Sequence, residues 1–287
     1  MTAAAPVLRF APSPNGRLHL GHAYSALLNA DLAARMGGVC RLRIEDIDPA
    51  RSKPDFVDGI VTDLAWLGLT YPEPVRRQSR HMAAYRTALD GLIASGLAYP
   101  CFCSRGQIRA RVASGGDGPR DPDGVPLYPG TCRHLDRAAA ADRIARGDPH
   151  TWRLDMAAAL RRAGPTHGYV AFDTAGAHRV AADPARWGDA VIARRDVPTS
   201  YHLAVVHDDA AEGITHVVRG RDLEAATGLH VLLQALLGLP VPRYRHHALL
   251  LDTGGEKLAK SRGSRSLADL RQAGATPEAV RARLGFA

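Results

Sequence analysis

Lysine is nearly absent from this chain. Only Lys53, Lys257 and Lys260 carry it, and the other 34 of the 37 basic residues are arginine. Cysteine is scarce as well, at four in 287 residues. In a chain of this size with no sign of secretion, four cysteines argue for reduced thiols or a bound metal rather than a disulfide framework. No basic segment followed by an apolar core stands at the start, so no secretory signal is expected. Long apolar runs are missing too. The longest, near Leu229 to Leu239, is interrupted and too short to cross a bilayer. A cytoplasmic protein without a membrane partner is the expectation.

What is present is ordinary globular material. The chain is 46% hydrophobic and 23% charged, a mixture that folds around a core. Its length suggests about two domains. The net charge of +8 and pI near 9.7 favour a polyanionic partner, RNA or DNA ahead of an anionic membrane. Genomic bias toward arginine and alanine is the other account of that charge.

Val7 to Phe10 reads as a strand, and "PSPNG" (12–16) breaks it with turn residues. A helix is expected from His19 to about Met36, stopped by Gly37 and Gly38. A second strand follows over 39–44. The next helix begins after Ser52, with Phe56, Ile60, Leu64 and Leu67 on one stripe, and another spans about 79–95. Strand, helix, strand, helix opens a parallel α/β sheet. Residues 100–190 lose this period and carry the Gly/Asp/Pro-rich "SGGDGPRDPDG" (114–124), so they are read as an inserted subdomain. The alternation resumes with "AVIARRD", the strand "ITHVV" (214–218), a helix near 227–237 and a strand near 246–252. The expected division is an α/β core in two halves, 1–99 and 191–252, the insertion at 100–190, and a loop with a helical tail at 253–287.

Two stretches carry chemistry. In "APSPNGRLHLGH" (11–22) a strand ends in a compact turn before His19-Leu20-Gly21-His22 opens a helix. A helix start offers unpaired N–H groups and a positive dipole end, which suits phosphates. His19 and His22 share a face, and Gly21 lets a flat purine approach the backbone. In "GEKLAKSRG" (255–263) two of the three lysines stand three apart among glycines. A compact ammonium on a flexible stem can follow a phosphate whose charge shifts during reaction, whereas arginine fixes a planar geometry.

A third grouping is Cys101-Phe102-Cys103 with Tyr128 and Cys132. Three thiols within 32 residues suit a tetrahedral Zn²⁺. From chemistry alone His134 is the natural fourth ligand. Cys40, inside the second strand, reads as core.

"HLGH" and "KLAKS", about 240 residues apart, resemble the HIGH and KMSKS signatures of class I aminoacyl-tRNA synthetases. "RFAPSPNGRLHLGH", "RIEDIDPAR", "SYHLAVVHDD" and "VVRGRDL" resemble the glutamyl branch, over nearly the whole chain. The resemblance implies a Rossmann-like class I catalytic core with an inserted zinc-bearing subdomain and a short helical tail. It implies ATP as substrate, held by His19, Gly21, His22 and Lys260, with Lys257 assisting catalysis; Mg²⁺ is implied by the chemistry of ATP and not by any motif. It also implies a glutamate pocket of Arg9, Phe10, Ala11, Pro12, Ser13, Glu45, Tyr201 and Arg219. The chemistry agrees: a dicarboxylate wants arginine forks, and its ammonium wants a carboxylate. Taken singly, Glu45 could belong to an acidic turn, Tyr201 could be a packed aromatic, and Arg219 could pair with Asp222. For the metal, the resemblance points to Cys101, Cys103, Tyr128 and Cys132, against His134.

Twenty-six residues follow Ser261, too few for the anticodon-reading region of a full glutamyl-tRNA synthetase. With the cysteines, this resembles the glutamyl-queuosine tRNA(Asp) synthetases, paralogues lacking that region. They activate glutamate without tRNA and esterify it onto queuosine in the tRNA(Asp) anticodon. The implied partners are L-glutamate, ATP and the tRNA(Asp) anticodon stem-loop, and a monomer is expected. A short glutamyl-tRNA synthetase, or another HxGH adenylyl-transferring enzyme, is the alternative. Four features depart from the pattern. Leu258-Ala259 replaces Met-Ser, and His207 stands where an apolar residue is expected. His202, beside the pocket tyrosine, is read as a tolerated surface change, with an effect on amino-acid choice as the alternative, and the long 104–127 loop stretches the ligand spacing.

Overall fold

The computed structural model describes residues 5–114, 116, 118–164, 167–251 and 265–286. Lys257, Leu258, Ala259 and Lys260 lie outside the described residues. Strand β1 (Val7–Phe10) leads through the proline turn into helix α1 (Leu20–Arg35), and β2 (Val39–Ile44) returns parallel to β1, Val7 opposite Val39. Two glycines make that return possible. Gly37 takes φ +63°, a conformation that side chains avoid, and a Cβ on Gly38 would stand 2.1 Å from the Pro6 carbonyl oxygen.

Helix α2 (Pro54–Trp66) follows, then the short β3 (Arg76–Arg77) beside β2. The inner stripe of α2 runs through Val57, Ile60 and Leu64, so Val57 takes the place expected for Phe56. The helix expected over 79–95 is split into a 3-10 turn, Gln78–His81, and α3 (Met82–Ala94).

The segment 100–190 does not pack as one body. Strand β4 (Ala98–Cys101) enters it, and α4 (Arg105–Ala113) and α5 (Arg137–Ala145) flank the cysteines. Cys101, Phe102, Tyr128, Cys132 and Ala140 form a small core there. Beyond that lie β5 (Thr151–Leu154), α6 (Met156–Ala163), the hairpin β6 (Gly168–Asp173) and β7 (Gly176–Ala181), and β8 (Val191–Ala193). These belong with the main body. Strand β5 pairs antiparallel with β4 and β8. Leu154, Met156 and Ile192 share one apolar cluster with Leu89, Leu203 and Leu229. The boundary expected at 190 therefore runs through packed structure, because strands this short leave no period to read.

The second half is α7 (Tyr201–Ala211), β9 (His216–Gly220), α8 (Ala226–Leu237) and β10 (Arg243–His247). The last strand lies earlier than expected because it pairs parallel with β9, Arg243 opposite His216, and with β6 on its far side. The three-stranded sheet β1-β2-β3 and the four-stranded sheet β7-β6-β10-β9 meet edge to edge at β1 and β9. There the Thr215 N–H donates to the Val7 carbonyl (2.9 Å), and the Val7 N–H donates to the Thr215 hydroxyl (2.8 Å).

Helix α7 carries two buried carboxylates that tie the layers together. Asp208 accepts from Arg76, Gln78 and Tyr85 at 2.7–2.8 Å, and Asp209 accepts from Arg9 (3.0 Å) and Arg43 (2.8 Å). The chain re-enters the described structure beside the start of α1, where the Leu267 N–H donates to the Leu18 carbonyl (2.8 Å). Helices α9 (Leu267–Gln272) and α10 (Pro277–Arg283) then pack Leu267 and Val280 against Leu18 and Leu64. Among the described residues no helix is long and apolar enough to cross a membrane.

Candidate active site

A cleft of about 810 Å³ opens at the C-terminal ends of β1 and β9, where the two sheets meet. In open parallel sheets this crevice is where ligands bind. The segment Arg9 to Ser13 forms one wall as β1 ends, and His19, Gly21 and His22 line it from the start of α1. Glu45 enters from the end of β2, Tyr201 from the start of α7 and Arg219 from β9. All eleven of these were singled out in the sequence and they share one cavity. Leu249 and Leu250 line the same cleft.

The α1 start is closed reciprocally. His19 Nδ1 accepts the Gly21 N–H at 3.1 Å, and His22 Nδ1 accepts the His19 N–H at 3.2 Å. Both rings therefore carry their proton on Nε2, since a nitrogen that accepts cannot also hold hydrogen. A Cβ on Gly21 would stand 3.0 Å from the His19 ring, so glycine is what leaves room for it.

Behind the cleft lies a charge network that the sequence reading did not anticipate. Arg43 is fully buried, and it donates to Asp209 (2.8 Å), Glu212 (2.9 Å) and Glu45 (3.2 Å). Burial would lift the Asp209 pKa, but Arg9 and Arg43 outweigh it and hold this carboxyl below the ordinary range. Burial prevails at Glu45 and raises its pKa against the pull of the same two arginines. Two adjacent carboxylates within an apolar helix, "VVHDD", were the available signal, because buried charges require partners.

Arg219 is also buried and heavily supported. Its Nη2 donates to Thr227 Oγ1 (2.8 Å), its Nη1 lies 3.1 Å from His230 Nδ1, and its Nε lies 3.5 Å from His246 Nε2. His202, read as a surface change, is not one. Its Nδ1 lies 3.1 Å from His230 Nε2, and its ring packs against Trp187 and Tyr201. His207 is half-buried, edge-on to Tyr85 at 5.4 Å, which accounts for a ring in an apolar stretch.

Burial, then Arg219, lowers the His202 pKa to about 4 and the His246 pKa to about 3; the same causes push His230 well below the ordinary range. The unfolded chain therefore takes up protons first as pH falls below about 6.5. The stability of keeping these rings neutral is complete above that pH and is lost as pH falls toward 4. Thermal melts should show a falling midpoint between pH 7 and pH 5. A flat midpoint would mean that the rings are not held neutral.

The three thiols of Cys101, Cys103 and Cys132 lie within 4.8 Å of one another. The Tyr128 hydroxyl sits 3.5 Å from Cys103 Sγ and accepts the Cys132 N–H at 2.9 Å. Tyr128 is buried in this cluster, whereas His134 is exposed. Cys40 is buried elsewhere, beside Leu8 and Val218.

A parallel sheet split at β1 and β9, with a histidine-capped helix start in the crevice, defines a class I synthetase catalytic domain. The family model for class I tRNA synthetases (E and Q), catalytic domain, matches residues 7–286. Glutamyl-Q tRNA(Asp) synthetase of Rhodobacter capsulatus is 46% identical over 98% of this chain and 100% of its own length. That of Symbiobacterium thermophilum is 43% identical, over 97% and 85%. A crystal structure of a glutamate tRNA ligase from Elizabethkingia meningosepticum, in complex with its amino acid, matches with a TM-score of 0.73 at 29% identity. That match covers 90% of this chain and 52% of the other, so the chain spans about half the length of that solved ligase. The chain belongs to the glutamyl-Q tRNA(Asp) synthetase family, ligases of the class I aminoacyl-tRNA synthetase type.

Proposed function

We propose that the chain activates L-glutamate with ATP, without tRNA, and transfers it to the queuosine base in the anticodon of tRNA(Asp). The observation that carries this reading is one cleft in which buried Arg219 and Arg9, a buried Glu45 and the histidine-capped start of α1 face the same space. Arginine forks donate to carboxylates, Glu45 pairs with an ammonium, and the helix start takes phosphates.

In the first step a glutamate carboxylate oxygen attacks the α-phosphorus of ATP and expels pyrophosphate. The Nε2–H groups of His19 and His22 donate to phosphate oxygens as negative charge builds. Each such bond contributes about 1.5–3 kcal/mol, and only what is gained in the transition state accelerates the step. Leu250, lining the cleft, and Ser266, bridged to His19, bracket the stretch that carries Lys257 and Lys260. This supports a role for both lysines on the same phosphates. In the second step a queuosine hydroxyl attacks the activated carbonyl and AMP leaves. No side chain need act as nucleophile, and Mg²⁺ would accompany ATP.

The cysteine cluster fits one structural zinc. Zinc–sulfur bonds of about 2.3 Å in a tetrahedron put sulfurs roughly 3.8 Å apart. The Cys103 and Cys132 sulfurs lie 3.5 Å apart, near enough for small shifts to close the shell. The Tyr128 hydroxyl, 3.5 Å from Cys103 Sγ, is the fourth donor; burial and the neighbouring thiols push its pKa up, so the metal itself would have to draw off the phenol proton. Zinc there would staple residues 101–144. Removal with a strong chelator should lower the melting midpoint by several degrees and release about one equivalent of zinc. Release of none would sink the assignment.

The test is glutamate transfer to two purified acceptors, queuosine-containing tRNA(Asp) and tRNA(Glu). Labelled glutamate on the first alone is expected. Charging of tRNA(Glu) alone would favour the second reading, a short glutamate–tRNA ligase, which the likeness to a solved glutamate tRNA ligase keeps in view.

A further inference from the structure

We propose that His230 and His202 are positioning residues that hold Arg219 as a donor-only clamp, and so select glutamate over glutamine. The inference rests on the reading of this cleft as a glutamate pocket and adds what aims its arginine.

Arginine can donate hydrogen bonds and never accept them. His230 Nδ1 lies 3.1 Å from Arg219 Nη1, so that nitrogen must be the acceptor. The ring proton of His230 then sits on Nε2, which faces His202 Nδ1 at 3.1 Å and donates to it. His202 in turn carries its own proton on Nε2. One end of the chain thus dictates a single tautomer at both rings. A flipped His230 would turn a C–H toward the guanidinium and lose the acceptor.

Packing makes this arrangement stiff. His230 is 1% exposed, and Thr227, which accepts from Arg219 Nη2, stands three residues earlier on the same face of α8. His202 follows Tyr201 on α7, and Trp187 closes on its ring with 5.2 Å between centroids. The lowered pKa values of both rings keep them uncharged, so neither ring adds a cation behind Arg219.

Selection follows from the donor count. Nη1 and Nη2 each commit one N–H to the protein, and each has one more to offer a ligand. A carboxylate offers two acceptor oxygens to that fork. A carboxamide offers one oxygen and one NH₂, and the NH₂ would meet a donor.

Glutamate-dependent ATP–pyrophosphate exchange tests this with His230→Leu, His230→Gln and His202→Leu, each checked by thermal melting. His230→Leu keeps the bulk and removes the acceptor. It should raise KM for glutamate about tenfold or more, leave KM for ATP within about twofold, and lower the glutamate-to-glutamine kcat/KM ratio in proportion. His230→Gln retains an acceptor oxygen and a donor NH₂, so it should recover most of the loss. His202→Leu should shift the same two quantities by about threefold. Folded variants with wild-type KM for glutamate and wild-type discrimination would overturn the proposal. So would equal losses for glutamate and ATP, which mark a general structural role. If His230→Leu does not fold, His202→Leu and His230→Gln decide the matter on the same measures. Wild-type protein without glutamate-dependent exchange would instead defeat the reading of the pocket itself.

Discussion

Replacing Arg219 with alanine should nearly abolish glutamate-dependent ATP–pyrophosphate exchange. Arg219 is 5% exposed, so its contact with a bound carboxylate would be largely shielded from solvent. Truncating one side of a buried, hydrogen-bonded charge pair costs about 2–5 kcal/mol or more. With tenfold for each 1.4 kcal/mol, kcat/KM for glutamate should fall roughly 30-fold to several thousand-fold. Lysine at 219 restores the charge and not the fork, so it should recover only part of the loss. The folded state has less at stake, because the groups left behind on Thr227, His230 and His246 are neutral. Exchange kinetics against glutamate concentration, with a melt for each variant, separate the two effects. An alanine variant with ordinary KM for glutamate would remove Arg219 from the pocket.

Arg43→Met should strike the fold itself. Three carboxylates, on Asp209, Glu212 and Glu45, converge on one guanidinium that has no exposed surface. Methionine fills most of the volume and leaves those charges without their common partner. Breaking a buried ion pair in this way costs about 3–5 kcal/mol, a large share of the roughly 5–15 kcal/mol that holds a typical domain together. At about 2–4 °C per kcal/mol for a chain of this size, the melting midpoint should drop by roughly 6–20 °C. The deficit relative to wild type should shrink as pH is lowered from 7 to 5, since stranded carboxylates can then bind protons. A variant melting within about 2 °C of wild type would mean that other groups satisfy the three acids.

Local signals made much of this molecule readable. A turn of prolines and glycine, a strand before it and an H-x-G-H after it are enough to place a helix start in a crevice. Arg9, Glu45, Tyr201 and Arg219 were recognisable because their motifs are long, and the cleft gathers all four. What stayed hidden depends on contacts between residues far apart in sequence. Arg43 and Asp209 are 166 positions apart, and nothing around Arg43 distinguishes it from the other arginines. His202 looked superficial because an amphipathic count cannot foresee His230 and Trp187 closing over it. The hairpin of β6 and β7 was assigned to the insertion because it joins the main sheet only through β10, more than 60 residues later. The two lysines of "GEKLAKSRG" lie outside the described residues, so their reading still rests on sequence.

Helix α7 serves two masters. Its first residue, Tyr201, is a wall of the cleft, and near its other end Asp208 and Asp209 anchor α3 and the first two strands. A ligand that braces Tyr201 therefore braces the same rod that the fold hangs from. By mass action, a ligand at about 100 times its Kd adds about 2.7 kcal/mol to folding. Occupancy of the cleft and survival of the folded chain are thus coupled through one helix.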